Sequence, residues 1–290
     1  MVYSSDGSHL PALSDRSYFE RGMQRAQILL EFPDFRRLRH LANSLSITQL
    51  LGHEAKFIYK YLSPYVANSF TRKMRLAAIL THYQFLVARV APAFFTAVAR
   101  QPVLWQQQVG EALFTITLSY PLRSGYEGEL SLNFCLNSTI LQVVSFLIVP
   151  GGLVGSTDAQ ALLISQVQGT RHAALLKHAT KTLHDITPAV LLVNAAYGLA
   201  TALGIRQAIG ISLEEQLCHT RSYFDYNGFW QQFDGQLTTN QMYLLDIPAP
   251  EKPIEQVKSK HRVRTLRKRH YRQQLRAAVA AHFAAEFLAI

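Results

Sequence analysis

The chain has 290 residues, 49% of them hydrophobic and 17% charged, with a formal net charge of +10. That balance excludes a disordered polyelectrolyte and leaves ample apolar material for a folded core. The two cysteines, Cys135 and Cys218, exclude a disulfide framework and a thiolate-rich metal knuckle, and they suit a reducing, cytosolic setting.

Residues 1–16 read as a flexible leader, because MVYSSDGSHLPALSD lacks the basic stretch and apolar run of a signal peptide. Residues 17–105 carry a helical pattern punctuated at Pro33, Gly52, Pro64 and Pro92, which predicts several short helices. The clearest runs from Thr71 to Val90, with Leu76, Ile79, Leu80, Tyr83 and Val87 on its apolar face. The texture changes after Trp105. Period-two patterning over Leu113–Ser119, Glu129–Asn137, Thr139–Val149 and Leu162–Val167, separated by Gly125, Gly128 and Pro150-Gly151-Gly152, predicts an antiparallel meander.

Gly169 then predicts a tight turn into an amphipathic helix carrying Leu175, Leu176, Ala179 and Leu183 on one side. Thr187-Pro188 supplies an N-cap and a first-turn proline for a second helix, apolar all round, that ends at Gly204. A short strand over Gln207–Ser212, a polar helix, an aromatic-dense stretch over Tyr223–Phe233 and a last strand over Met242–Ile247 follow. These elements make residues 106–248 an α/β unit. Residues 249–290 form a proline-punctuated linker and one long helix from Arg262 onward. Two uncharged runs, 130–157 and 186–205, are long enough to span a membrane. The polar residues and Pro-Gly-Gly turn of the first read as strands, and Asn194, Tyr197 and Gly198 make the second a buried core helix.

Several chemistries lack their signatures. There is no G-x-S-x-G elbow, no GK[ST] after Gly151-Gly152 and no G-x-G-x-x-G. His172, His178 and His184 are six residues apart, a spacing that turns each away from the last on a helix and does not build a metal site. What remains is the strand–glycine–helix turn Gln166-Val167-Gln168-Gly169-Thr170-Arg171. A strand entering a helix through glycine leaves backbone N–H groups and the positive end of the helix dipole aimed at one spot, a seat for phosphate.

The order meander, strand, glycine turn, helix, strand, helix, strand resembles the GCN5-related N-acetyltransferase architecture, whose acyl-CoA signature is Q/R-x-x-G-x-G/A. Gln166 and Gly169 match it, and Arg171 stands where Gly or Ala is usual. An arginine there crowds a pyrophosphate or pairs with it. The resemblance implies direct acyl transfer from an acyl-CoA or an acyl group on acyl carrier protein, without a metal. Gln166, Gln168, Gly169, Thr170 and Arg171 would then lie around the donor phosphates. It also implies a tyrosine acid from the helix after the fifth strand, a place held by Tyr223 and Tyr226, and a carboxylate base, for which Glu127 and Glu129 are nearest. Each of these also has a purely structural reading.

The chain resembles the VirK/YbjX family of bacterial proteins more closely. Glu127-Gly128-Glu129-Leu130, Gln168-Gly169, Thr180-Lys181-Thr182-Leu183-His184 ahead of Pro188, Tyr226 with Phe229-Trp230, the Ser259–Arg269 run and the His82-Tyr83 pair carry that likeness. Asn227 and Gln232 depart from it, where Asp and Glu are usual. It implies a Gram-negative cytoplasmic protein linked to virulence and to cell-envelope or lipid A phenotypes, and it supplies no reaction.

Ten Lys or Arg residues lie between Lys252 and Arg276 against one acid, Glu255, so nearly all the charge imbalance sits in the C-terminal segment. Three readings stay open. The helix packs on the protein through Leu275, Val279, Phe283 and Phe287. Or Lys258, Lys260, Arg262, Arg264, Arg267, Lys268, Arg269 and Arg272 meet an anionic membrane at its periphery. Or they meet an acidic partner, acyl carrier protein ahead of nucleic acid. The aromatic cluster Phe224–Phe233 reads as a core corner or as a stacking platform, with the core corner favoured.

Overall fold

The computed structural model describes residues 57–121, 125–217 and 224–289, with 33, 36–38 and 40. The leader and most of the first predicted helices lie outside the described residues, as does Tyr223. A short 3-10 turn over Phe57–Leu62 precedes helix α1 (Arg72–Arg89) and helix α2 (Ala93–Ala99). Thr71 caps α1 by accepting from the Met74 amide.

The eight strands form one sheet: β1 (Val103–Val109), β2 (Ala112–Ser119), β3 (Leu130–Leu136), β4 (Thr139–Pro150), β5 (Gln160–Gly169), β6 (Gln207–Ile211), β7 (Gln236–Leu237) and β8 (Met242–Asp246). The spatial order is β1-β2-β3-β4-β5-β6-β8-β7, antiparallel throughout except where β5 lies parallel to β6. Asn137 and Ser138, both at positive φ, make the two-residue hairpin turn between β3 and β4. The crossover from β5 to β6 holds helix α3 (Ala173–Thr182) and helix α4 (Pro188–Ala202). Helix α5 (Tyr226–Gln231) sits between β6 and β7, and helix α6 (Ser259–Phe287) closes the chain. The mixed, mostly antiparallel sheet with flanking helices agrees with the α/β (α+β) class predicted from sequence.

The sheet is buried on both faces. Ser131, Ser145 and Gln166 are register partners and share the face that α1 covers, since Glu129 on that face meets Tyr83 of α1. Leu132, Val144 and Val167 share the opposite face, where α3 and α4 lie. This explains why β3, read as alternating, is buried at every position. Several local expectations are corrected. On α1 the buried stripe is Leu76, Ile79, Tyr83 and Leu86, with Val87 40% exposed, because the helix turns its 76/79/83/86 row to the sheet. On α3 only Ala179 is buried and Leu175 stays exposed, because α3 covers the end of the sheet and not its centre. After β6 the chain makes a turn over residues 213–215 where a polar helix was expected. Strand β1 was not foreseen, since Gln106, Gln107 and Gln108 interrupt any apolar alternation.

α4 forms as its caps predict: Thr187 accepts from the Val190 amide, Pro188 opens the helix and Gly204 follows it at φ +75°. It packs against α6 at Gly198, where an added Cβ would sit 2.6 Å from the Arg276 carbonyl oxygen. Leu275, Val279, Phe283 and Phe287 are the buried residues of α6, at the spacing read from sequence. Among the described residues, no helix is long and apolar enough to cross a membrane.

Candidate functional site at the parallel seam

β5 is a ten-residue strand, but only Leu162, Leu163 and Ile164 pair with β6. At the next residue, Ser165, β5 bulges against β4: Ser145 faces Gln166 while Phe146 faces Ile164. A bulge bends its strand. Ser165 therefore marks where β5 leaves β6 and continues alone to Gly169. The notch between the two strands leaves the backbone of Val167 without a strand partner on that side. Tyr226 fills it. Its hydroxyl lies 3.1 Å from the Val167 nitrogen and 3.3 Å from the Val167 oxygen.

A hollow lies on each face of the adjoining β4–β5 pair. On the α1 face is one of about 650 Å³, lined by Ser131, Ser145, Gln166, Gln168 and the turn Gly169-Thr170-Arg171-His172. On the other face is one of about 380 Å³ between α3 and α5, lined by Leu176, Lys177, Phe224, Phe229 and Gln142 among others. All five residues expected to surround donor phosphates thus line the first hollow. The tight turn expected at Gly169 is displaced: Gly169 is the last residue of β5, paired with Gln142, and the chain turns over 170–172, where the Thr170 amide is committed to the Leu141 carbonyl at 2.9 Å. The first helical turn-closing bond is from Leu176 to His172, so the amides of Ala174 and Leu175 have no intrahelical acceptor. No side chain caps α3. The Thr170 hydroxyl, beside the first hollow, and the Gln142 side-chain nitrogen, beside the second, are buried with no partner among the described residues. Buried polar groups are normally satisfied, so two orphans beside one segment mark a place built for further hydrogen bonds. The segment therefore offers free donors of the kind an anion takes, and the Tyr226 hydroxyl closes the notch beside it.

Polar side chains run across the α1 face as a ladder. Ser131 meets Ser145 at 3.0 Å, and Ser145 donates to the Gln166 side-chain oxygen Oε1 at 3.0 Å. Gln166 in turn donates to Glu127. Gln216 donates to the other Glu127 oxygen at 2.6 Å, and Ser165 to the Glu127 carbonyl. Burial raises the Glu127 carboxyl above the usual carboxylate range, opposed in part by the Gln216 hydrogen bond. Gly128 presses on the β4 backbone, its would-be Cβ 3.0 Å from the Phe146 nitrogen, so no side chain fits between the two glutamates.

Glu129 has a different setting. It accepts from Lys60 at 2.7 Å, from Tyr65 at 2.5 Å and, through its other oxygen, from Tyr83 at 2.5 Å. Burial acts to raise its pKa, but the Lys60 charge and these donors outweigh it and hold the carboxyl below its ordinary value. Beside it, His82 is fully buried, takes the Ile148 amide on Nδ1 at 3.1 Å and is pushed down to about 4 by desolvation. With its acceptor sites filled, Glu129 ties α1 and the 3-10 turn to the sheet. Lys60, Tyr65 and Gln216 were not singled out from sequence. Nothing in their spacing links them to the glutamates, and only the His82-Tyr83 pair gave a signal.

The aromatic stretch is a core corner. The Trp230 indole lies over Gly210, donates to the Ile211 carbonyl at 2.7 Å and contacts Phe229 and Phe233. Of the basic residues on and before α6, Arg262 folds back onto the Val257 and Glu255 carbonyls, and Arg264 and Lys268 hold Asp185. Arg269 and Arg272 both pair with Glu251. Lys258, Lys260 and Arg267 remain exposed beside Val263 and Leu266, which are 72% and 50% exposed.

A family model described as "Protein of unknown function (DUF535)" matches residues 19–281. The uncharacterized protein YbjX of Escherichia coli (strain K12) is 24% identical over 287 residues, covering 92% of this chain and 84% of that protein. The protein named membrane protein LapB of Mannheimia haemolytica is 27% identical over 176 residues, covering 58% of this chain and 71% of its own length. No solved structure matches the chain.

Proposed function

From the premise that this chain belongs to the DUF535 family, with the uncharacterized YbjX among its relatives, we propose that it is an acyltransferase of acetyltransferase-like fold. The donor is an acyl-CoA or an acyl group on acyl carrier protein, and the acceptor is an amine or hydroxyl of a cell-envelope component. The observation that carries this reading is the parting of β5 from β6, with a hollow on each face of the adjoining β4–β5 pair and polar atoms beside Gly169 that have no partner among the described residues. The donor supplies a thioester carbon open to attack and a thiolate leaving group. Thr170, the amides opening α3 and Arg171 bind its phosphates. Val167 N–H, released by Tyr226, donates to the carbonyl oxygen as it gains charge.

Glu127 serves as the base. Its raised carboxyl has a proton affinity closer to that of the attacking group, and the Ser131–Ser145–Gln166 ladder leads from the larger hollow to it. The nucleophile's proton passes to Glu127, the new acyl bond forms as the C–S bond breaks, and the displaced Tyr226 phenol gives its proton to the departing sulfur. Glu129, saturated by three donors, positions the strand that carries Glu127. The reading is tested by a thermal-shift screen with CoA, an acyl-CoA and acylated carrier protein: at least one raises the midpoint saturably, and no shift from any of them refutes it.

A second reading rests on its own observation. The free end of α6 presents Val263 and Leu266 amid Lys258, Lys260 and Arg267, an arrangement suited to lying on anionic lipid at the membrane periphery. Liposome flotation with Lys260→Glu/Arg267→Glu tests it, and unchanged flotation contradicts it.

A further inference from the structure

A third hollow, of about 480 Å³, lies away from the seam, between α4, the 249–252 segment and α6. Its charged lining is Lys252, Arg269, Arg272 and Arg276 against Glu251 and Asp234. The three arginines are three and four residues apart, which places them on one face of α6 looking inward. Tyr197, Phe233 and Val257 provide an apolar floor, with the Tyr197 and Phe233 rings edge-to-face.

Three features show demand for an anion here. Glu251 is shared by Arg269 and Arg272, so one carboxylate answers two guanidinium groups. Among the described residues, the half-buried Arg276 has only the neutral Asn194 side-chain oxygen as a hydrogen-bond acceptor, at 2.7 Å. The buried Tyr197 hydroxyl and the Arg272 Nε have no hydrogen-bond partner among the described residues. Glu251 acts on Arg276 only from a distance, and a half-buried cation without a directly paired carboxylate is costly, as is a buried hydroxyl without a partner, at about 1–3 kcal/mol. The charged lining has an excess of two cations over carboxylates.

We propose that this cleft binds a phosphate monoester carried on an apolar or planar stem. Such a group has a charge of about −1.5 to −2 near neutral pH, which matches the excess, and oxygens in the number the donors require. Arg272 and Arg276 grip the phosphate, the Tyr197 hydroxyl donates to it, and the stem lies over Tyr197 and Phe233. Glu251 holds the arginines in place and gives up Arg272 when the ester enters. The phosphate comes from a soluble metabolite or from a lipid headgroup, and the experiment separates the two.

The test titrates the full chain calorimetrically with phenyl phosphate, with benzoate and with sodium sulfate at matched ionic strength. A saturable one-to-one heat with phenyl phosphate, stronger than with benzoate or sulfate, is expected. Arg276→Gln weakens it by about tenfold or more, as loss of a charge-assisted hydrogen bond requires. Tyr197→Phe, which keeps the ring packing, weakens it severalfold and guards against misfolding of the arginine variant. Vesicles of phosphatidic acid that release the chain to free phenyl phosphate identify a lipid source; failure to retain it identifies a soluble one. Absence of saturable binding, or equal affinities in wild type and Tyr197→Phe, overturns the proposal. Amide shifts at Val167 and Gly169 on adding an acyl-CoA report on the seam and stay intact in both variants, so the two readings fail separately.

Discussion

The Tyr226 hydroxyl bridges the nitrogen and the oxygen of Val167, at 3.1 and 3.3 Å, and so occupies the stretch of β5 that no longer has β6 beside it. Removing that hydroxyl alone opens the seam without disturbing the ring packing. Tyr226→Phe is expected to cost about 1 kcal/mol of stability, the usual net value of a buried hydrogen bond. Chemical denaturation reads the cost. Under the proposed mechanism the same change lowers turnover while leaving, or tightening, donor affinity, because the plug is gone and the acid with it.

Glu129 is the second prediction. Glu129→Ala strands the Lys60 charge and two buried phenols, and a loss of about 3–5 kcal/mol follows, as for other broken buried pairs. Glu129→Gln keeps an acceptor for one tyrosine and costs less. Urea unfolding of the two variants distinguishes the cases, and equal midpoints contradict the assignment of Glu129 as a charged tie.

Acid sensitivity follows from His82. Its pKa is about 4 in the fold against 6.5 when exposed, because burial disfavours the imidazolium and Nδ1 must stay unprotonated to accept from Ile148. The folded value is depressed, so the contribution is complete above pH 6.5 and is lost as pH falls toward 4. The full loss is on the order of 3 kcal/mol, of which about 2 is gone by about pH 5. Glu129, also depressed, adds to the loss in the same direction below its ordinary value of 4.5. Unfolding midpoints measured between about pH 7 and pH 4 should fall, and His82→Gln, which accepts without titrating, should flatten the upper part of that slope.

Gly210→Ala tests the aromatic corner. The new methyl would overlap the Trp230 ring, whose position is fixed by its bond to Ile211 and by Phe229 and Phe233. Overpacking of this kind costs about 1–3 kcal/mol or more. A thermal midpoint unchanged from wild type contradicts the packing described.

Much of the fold was legible because its signals are local. The Thr187-Pro188 start, the Gly204 stop and the 275/279/283/287 stripe state their own geometry within a few turns of chain. The meander was legible for the same reason, as Thr, Val, Ile and Phe alternate between glycines. The site was legible only where the chain makes it alone, at Gln166–Arg171. Its other parts come from distant segments: Tyr226 reaches Val167, and Gln216 reaches Glu127. The inward turn of Arg269, Arg272 and Arg276 was also hidden, because a charge run looks the same whether it faces solvent or the α4 face. Val87 and Leu175 misled because apolar residues at helical spacing fix a face only to within one neighbouring row.

The most direct measurement is an amide NMR titration of the full chain with an acyl-CoA and with acylated carrier protein. The account predicts that one donor shifts Val167, Gly169, Thr170, Arg171 and the first amides of α3, with saturation, while the outer face of α6 stays unmoved. Shifts confined to α6, or none in the β5–α3 turn at saturating donor, would contradict it.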